Sequence, residues 1–140
     1  MKKNTAQIVE ELKLCPDFKT FYERNEDQMV QEELATMLAK LVEEKGLRKS
    51  AVFQKAELSD VYGYQIFSGL RHPERKKLLC LAIGMELSPE ETQALLKAAG
   101  YAPLYAKQPA DCIVLYGLYK KLTIPEINTL LYENELETLG

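Results

Sequence analysis

The pattern of apolar and polar positions along the chain predicts helices over most of its length. Between residues 28 and 45 apolar side chains recur every three or four positions, the spacing of one helix face: Val30, Leu34, Leu38, Leu41 and Val42. Gly46 follows at the position where helices commonly end, and the positive charge of Lys45 in the last turn interacts favourably with the helix dipole. Sustained alternation and Asn-Gly or Asp-Gly turns, which mark strands, are missing from the sequence. The pattern therefore predicts an all-α protein.

Similar periodicity predicts further helices on both sides. Towards the N-terminus these cover about residues 5–14, ending before Pro16, and a short segment around Phe21. Towards the C-terminus they cover about residues 49–56, 60–68 and 74–85. The 140 residues suit one domain with a proper core. We divide the chain into an N-terminal helical extension (1–27), a central helical domain (28–87) and a C-terminal region of helical hairpins (88–140) packed on it.

A weak internal repeat underlies the hairpin prediction. Residues 76–96 align with residues 111–131, so that each copy reads as helix, turn, helix. In each copy a hydroxyl precedes a glutamate by three residues: Ser88 before Glu91, and Thr123 before Glu126. This spacing predicts a capping box, in which two side chains satisfy orphan N–H groups at a helix start. Two copies are too few for a solenoid, so we expect paired hairpins.

The charge of the chain is unevenly distributed. The net charge is −3, yet residues 45–77 carry eight Lys and Arg against three Asp and Glu, a net +5. Residues 1–44 carry six against ten, and residues 78–140 carry four against eight, so each flank has a net −4. The central segment therefore has the charge expected of a surface that contacts phosphate, and the flanks do not.

The segment 49–69 within this basic stretch has the layout of a helix-turn-helix. It reads as two short helices joined by a tight turn, followed by the basic loop 70–73, and such a motif presents its second helix to the major groove of DNA. We expect Arg48, Lys49 and Ser50, at the start of the first helix, to meet phosphate. On the second helix, the side opposite Ile66 and Phe67 carries the candidate base-reading residues. The complete candidate DNA-binding set is Arg48, Lys49, Ser50, Asp60, Val61, Tyr64, Gln65, Ser68, Arg71, His72, Arg75 and Lys76.

Residues 34–87 resemble the Xre family of helix-turn-helix transcriptional regulators, which are similar to phage repressors and Cro. The resemblance rests on EEKGL (43–47), LSDVYGYQIFSGLRHP (58–73) and the leucine-rich helix after them. It implies a lambda-repressor-like helical bundle that binds double-stranded operator DNA as a homodimer. It also implies phosphate contact by Lys49 and base contact by Asp60, Val61, Tyr64 and Gln65.

Three positions depart from the family pattern. The family has a small residue at position 53, glycine at position 57 and a β-branched residue at position 63, where this chain has Phe53, Glu57 and Gly63. We expect Phe53 and Gly63 to pack against each other as a large-for-small exchange that conserves volume. Because the turn at position 57 calls for a positive φ, we expect it to be rearranged around Glu57.

The remaining sequence features favour a non-catalytic protein without cofactors. His72 is the single histidine, no Cys/His spacing suggests a metal site, and no glycine-rich loop suggests a nucleotide. Cys15, Cys80 and Cys112 are few and far apart, which suits buried thiols in a reducing compartment. No apolar run is long enough to span a membrane, and the polar start lacks a signal-peptide core. We therefore expect a cytoplasmic protein.

Two functions remain open at this stage. One is sequence-specific DNA binding for transcription regulation, with the C-terminal hairpins available for dimerisation or a protein partner. The other is a protein–protein interaction module that keeps the helix-turn-helix fold without reading DNA. The basic segment favours the first, while Glu57, Asp60 and the overall acidity favour the second, because carboxylates repel phosphate.

Overall fold

The computed structural model of the protein describes residues 3–26 and 30–140. Within those residues the chain forms α-helices and no strands, which confirms the all-α prediction. The start predicted at residue 28 and the side chain of Val30 lie outside the described part. The helices are α1 (Thr5–Leu14), α2 (Phe18–Asn25), α3 (Val30–Lys45), α4 (Lys49–Lys55), α5 (Asp60–Phe67), α6 (Arg75–Gly84), α7 (Pro89–Ala98), α8 (Pro109–Lys120) and α9 (Ile124–Glu133).

One hydrophobic core joins the central helices to the C-terminal ones. It extends without a break from Leu34 on α3 to Leu139 near the chain end. Helix α6 is its centre, because every residue from Leu78 to Gly84 is buried. Around it, α3 packs on α7, α4 packs on α6, and α8 packs on α9. The described helices include none that is both long and apolar enough to cross a membrane.

The N-terminal pair, α1 and α2, lies outside this core. The two helices pack on each other, α1 buries none of its residues, and α2 buries Phe21 and Asn25. Lys3 ties the pair together, since its ammonium group donates to Asn25 Oδ1 at 2.7 Å and to Glu11 at 2.6 Å. Asn4 caps α1 and Asp17 caps α2 through their side chains.

Three helical hairpins share one kind of turn. The pairs α4–α5, α6–α7 and α8–α9 each have a charged residue with left-handed backbone after the first helix, then a leucine, then a hydroxyl N-cap. In each turn the leucine N–H donates to the carbonyl five residues earlier, as in a Schellman motif. The three bonds run from Leu58 to Phe53 (2.9 Å), from Leu87 to Ala82 (3.1 Å) and from Leu122 to Gly117 (2.9 Å).

Both capping boxes predicted from the repeat are present. The Glu91 N–H donates to Ser88 Oγ at 3.1 Å, and the Ser88 N–H donates back to the Glu91 carboxylate at 2.9 Å. Thr123 and Glu126 exchange the same two bonds at 3.4 and 2.9 Å. The α4–α5 hairpin has the same turn without a capping box, because Tyr62 stands where the other two have glutamate.

The structure confirms one expectation about the α4–α5 turn and corrects another. A Cβ built on Gly63 would lie 2.5 Å from the Phe53 ring, so the ring occupies the space that a side chain at position 63 would fill. Glu57, however, adopts a φ of 58° in a turn like the other two. The expected rearrangement of this turn was therefore wrong, since the glutamate takes the left-handed conformation itself.

The three cysteines are unpaired, but only one matches the expectation of a buried thiol. Cys80 is buried in α6, whereas Cys15 is half-buried and Cys112 is exposed. Cys112 lies on the outer face of α8, where apolar sequence neighbours do not imply burial.

Candidate nucleic-acid interface

Helix α5 presents one exposed face and one buried face, as its sequence predicts. Gly63, Ile66 and Phe67 are buried. Val61 is 71% exposed and Tyr64 is 49% exposed. On the same outer face Asp60 and Ser68 are exposed and Gln65 is half-buried. The five candidate base-reading residues therefore follow one side of a helix of just over two turns.

Contacts at both ends and along its length hold α5 in place. At its start the Tyr62 N–H donates to Ser59 Oγ at 3.2 Å, so Ser59 is the N-cap. Along its length the Phe53 ring meets the Tyr64 ring edge-on at 5.1 Å and the Phe67 ring at 5.6 Å. Gly63 lets α4 and α5 approach closely enough for these contacts. The outer face of α5 is thus backed by a packed cluster of aromatic rings from α4 and α5.

The start of α4 places a second polar group beside α5. Arg48 is the N-cap of α4 and makes no side-chain capping bond, and Ser50 is exposed. A shallow groove of about 540 Å³ runs from these two residues to Ser59 and Asp60. Its wall includes Gln54, which sequence analysis did not single out, although it lies one helical turn after Ser50 on the same face.

Lys49 and Arg71 both lie against aromatic rings of α5, one at the end of the helix and one in its first turn. The Lys49 ammonium lies 5.2 Å from the centre of the Phe67 ring, and the Arg71 guanidinium lies 5.6 Å from that of Tyr62. The Arg71 N–H donates to the Gln65 carbonyl at 3.1 Å, which fixes the basic loop to α5. Burial raises the pKa of the Tyr62 phenol above its usual range, and the charge of Arg71 partly opposes this shift.

His72 faces the protein rather than the exposed side of the loop. Its ring stacks on Tyr101 with centroids 5.6 Å apart, and the Tyr101 hydroxyl donates to the Pro73 carbonyl at 2.6 Å. The Nδ1 atom of His72 is buried and has no hydrogen-bond partner among the residues that the structure describes. These contacts fasten the loop 70–73 to the connector between α7 and α8, residues 99–108.

Arg75 is not free to contact phosphate, contrary to the sequence-based expectation. Its half-buried guanidinium donates to both carboxylate oxygens of Asp111, at 3.1 and 3.0 Å. It also donates to the carbonyls of Ala102 and Pro103, at 3.2 and 3.3 Å. Arg75 therefore joins α6 to α8 and to the connector, a structural role that its place in a basic run did not indicate.

Lys76 is likewise turned towards the C-terminal residues. Its ammonium group forms an ion pair with Glu137 and donates to the Thr138 carbonyl at 3.3 Å. The hydrogen bond from Lys76, and then its charge, hold the pKa of the Glu137 carboxyl below its usual range. Of the twelve candidate residues, the structure thus brings Arg48, Lys49, Ser50 and Arg71 around the exposed face of α5, and sets Arg75 and Lys76 apart from it.

Charges of both signs remain on this surface. In the described ranges 3–26 and 30–140, Arg48, Lys49 and Arg71 take part in no ion pair. Asp60, exposed in the first turn of α5, opposes them, and Glu57 and Glu74 line the same groove as Arg71. No group of three or more His, Cys, Asp or Glu in the described part is arranged to hold a metal ion.

Comparison with known proteins adds no further information about this surface. No protein-family model, curated protein or solved structure matches the chain.

Proposed function

We propose that the protein is a cytoplasmic, sequence-specific DNA-binding transcription regulator of the Xre helix-turn-helix type, acting as a homodimer. The observation that carries the proposal is the exposed face of α5, with Tyr64 and Gln65 on it. Lys49 and Arg71, which form no ion pair within the described residues, lie against the Phe67 and Tyr62 rings of the same helix. In this proposal α4 and α5 form the motif, and α5 enters the major groove.

The side chains divide by chemistry into positioning and reading groups. Arg48, Lys49 and Arg71 contact phosphates, which gives affinity for all sequences alike. The Gln65 side-chain amide forms hydrogen bonds with the N6 and N7 atoms of adenine. The Asp60 carboxylate accepts a hydrogen bond from cytosine N4. With Asp60 at the groove, a site containing cytosine at the facing position is favoured.

The first test measures binding to mixed-sequence duplex DNA by fluorescence anisotropy as salt is raised. Three phosphate contacts per subunit, six in a dimer, predict an affinity that falls by about a thousandfold between about 50 and 200 mM salt. If the folded protein does not bind the duplex at about 50 mM salt, the proposal that it binds DNA is wrong.

A second test separates reading from positioning, using a site selected from random duplexes. Gln65→Ala should reduce the preference for the selected site by about tenfold while leaving nonspecific binding unchanged. Arg71→Gln should weaken selected and random sites equally. Lys107→Gln, which removes an exposed charge from the connector before α8, is the matched control and should change neither. If Gln65→Ala and Arg71→Gln behave alike, Gln65 is not a reading residue.

The second candidate is a protein–protein interaction module, and exposed apolar groups on the same surface favour it. Val61, next to Asp60 in sequence, is 71% exposed, and Leu70 in the loop after α5 is 76% exposed. Such residues suit the centre of a protein interface better than a phosphate-lined groove. Under this alternative Val61→Asp abolishes binding of the protein partner, whereas Arg71→Gln changes that binding little.

A further inference from the structure

The rest of the described chain leaves the N-terminal pair, α1 and α2, largely uncovered. The two helices run antiparallel, because Lys3, before the start of α1, donates to Asn25 at the end of α2. Helix α1 has 10 residues and buries none of them, and α2 has 8. Isolated helices shorter than about 12–15 residues are marginal in water, so packing against other helices has to stabilise them. Within the described residues this packing is mainly that of α1 on α2.

Each helix of the pair carries an apolar stripe that remains partly exposed. On α1, Val9 is 41% and Leu12 is 48% exposed. On α2, Phe18 is 68% and Tyr22 is 40% exposed. Spacings of three and four residues place the two members of each stripe on one helix face. The Phe18 ring lies 5.9 Å from the Tyr22 ring and 6.1 Å from that of the buried Phe21, so the α2 stripe forms one aromatic cluster.

The two stripes lie on the same side of the pair. Val9 follows the half-buried Ile8 by one position, and Tyr22 follows the buried Phe21 by one position. One position turns an α-helix by about 100°, in the same sense for both helices. Because the helices are antiparallel and their buried residues face each other, this equal rotation brings both stripes to one side. The N-terminal pair therefore has a single apolar face.

The size of this face suits a protein interface. With about 150–250 Å² for a whole aromatic side chain, the exposed parts of the four side chains come to about 400 Å². That area is comparable to the largest apolar patch of a typical monomer, about 300–600 Å², which is often functional. It is also about half of the roughly 800 Å² that each partner buries in a standard interface.

A second copy of the chain is the partner that fits this face. Residues 3–26 carry four Lys and Arg against five Asp and Glu, a net −1, so two copies meet without strong repulsion. Charges of both signs are interspersed, and Glu10 forms an ion pair with Lys13 at 3.4 Å. This balance selects neither an acidic nor a basic partner. Two antiparallel pairs, packed face to face with twofold symmetry, complete a four-helix bundle that covers both apolar faces.

We propose that the protein dimerises by packing two N-terminal pairs face to face as a four-helix bundle. The core of the bundle takes four side chains from each copy: Val9, Leu12, Phe18 and Tyr22. This proposal rests on the homodimer of the proposed function and assigns its surface. The interface contains no residue of α4 or α5, so the candidate nucleic-acid surface of each copy stays accessible.

The first test is sedimentation velocity of the full chain without DNA. At about 100 μM the wild type should sediment with twice the 16.0 kDa of one chain. The double variant Leu12→Gln/Phe18→Gln removes two apolar contacts from each copy and should weaken the dimer at least about a hundredfold, which leaves monomers. Tyr119→Gln, at a position 65% exposed on α8, is the matched control and should leave the dimer intact.

A second test locates the interface in the unmodified chain. Amide hydrogen exchange within residues 5–26 should slow as the protein concentration is raised from about 1 to about 100 μM, because dimerisation protects the pair. Exchange within residues 109–120 should not depend on concentration. The same exchange rate within residues 5–26 at both concentrations would overturn the proposal even if the double variant were misfolded.

The remaining outcomes separate this proposal from DNA binding. A monomeric wild type at about 100 μM, or a double variant that stays dimeric, would overturn the N-terminal interface. Loss of the dimer in Tyr119→Gln alone would also overturn it, because the interface would then lie on α8. A monomeric wild type that still binds duplex DNA would overturn only the dimer. A dimer that meets the expectations above but binds no DNA would support this interface and overturn only the DNA-binding function.

Discussion

At the scale of single residues, left-handed backbone at helix ends is the main departure from standard geometry. Glu57, Glu86, Lys121 and Glu135 adopt it without being glycine. The family resemblance indicated positive φ at position 57, but no local signal separates Glu135 from an ordinary helical glutamate. The reason is that φ is fixed by the Schellman bonds of the turn, which a residue's own identity does not reveal.

Replacing Glu135 with glycine should stabilise the protein. The change removes steric strain at a φ of 59° and adds chain entropy to the unfolded state, leaving a net gain of about 1 kcal/mol. Urea unfolding followed by circular dichroism measures it. The matched control is Glu133→Gly, two residues earlier and inside α9, which should cost about 0.5 kcal/mol. Effects of the same sign in both variants would contradict the strain argument.

At the scale of helices, the sequence predicted the elements, the two capping boxes and the contact of Phe53 with Gly63, but not the matching contact in α8–α9. Position 53 faces position 63 in α4–α5, and position 117 faces position 127 in α8–α9. The first pair is Phe53 with Gly63 and the second is Gly117 with Ile127, so the large and small partners are exchanged. A sequence alignment compares one residue at a time, whereas packing conserves the combined volume of the two facing residues. The similarity of α4–α5 to α8–α9 is therefore not visible in an alignment.

Gly63→Ala should destabilise the α4–α5 crossing. The new Cβ would lie 2.5 Å from ring atoms of Phe53, and overpacking of this kind costs about 1–3 kcal/mol. In a chain that already carries Phe53→Leu, the ring is absent and the same change should cost less. A double-mutant cycle by urea unfolding measures the coupling. Additive effects would mean that Phe53 does not limit the space at position 63.

Glu91 links a helix cap to the packing of α3 on α7, which makes its contribution depend on pH. The pKa of the Glu91 carboxyl is held below 4.5 chiefly by the hydrogen bond from the Ser88 N–H, and also by Lys45, whose ammonium group lies 3.1 Å away. Since the folded pKa is the lower one, the stabilisation is complete above about pH 4.5 and is lost as pH falls through the folded pKa.

Glu91→Gln should therefore lower stability at pH 7 and not at low pH. The amide still accepts the capping bond, so the loss at pH 7 is the ion pair with Lys45, about 0.5 kcal/mol. Urea midpoints for wild type and variant, measured from pH 7 to pH 2.5, should converge below pH 4.5. Glu90→Gln on the same turn is the control for a general charge effect, and a constant gap between wild type and Glu91→Gln would contradict the assignment.

At the scale of the whole molecule, contacts between distant segments decide what local patterns leave open. The basic run 71–77 reads as one surface, yet Asp111 holds Arg75 and Glu137 holds Lys76, so the run is divided between two roles. The core likewise crosses the predicted boundary at residue 87, continuing to Leu139. Periodicity reveals which face of a helix is buried, but not which helix covers it.

Because the central and C-terminal helices share one core, we expect them to unfold together. The rate at which the Cys80 thiol is labelled measures this unfolding. This thiol lies in α6 with Sγ 3.9 Å from the Leu139 carbonyl, and burial raises the pKa of the thiol to about 11. In a chain carrying Cys15→Ser and Cys112→Ser, thiol labelling of Cys80 should be at least about a thousandfold slower than in the unfolded chain. The opening free energy from labelling should equal the unfolding free energy from circular dichroism in urea. Labelling that precedes the circular dichroism transition would mean that the C-terminal residues open separately from α6.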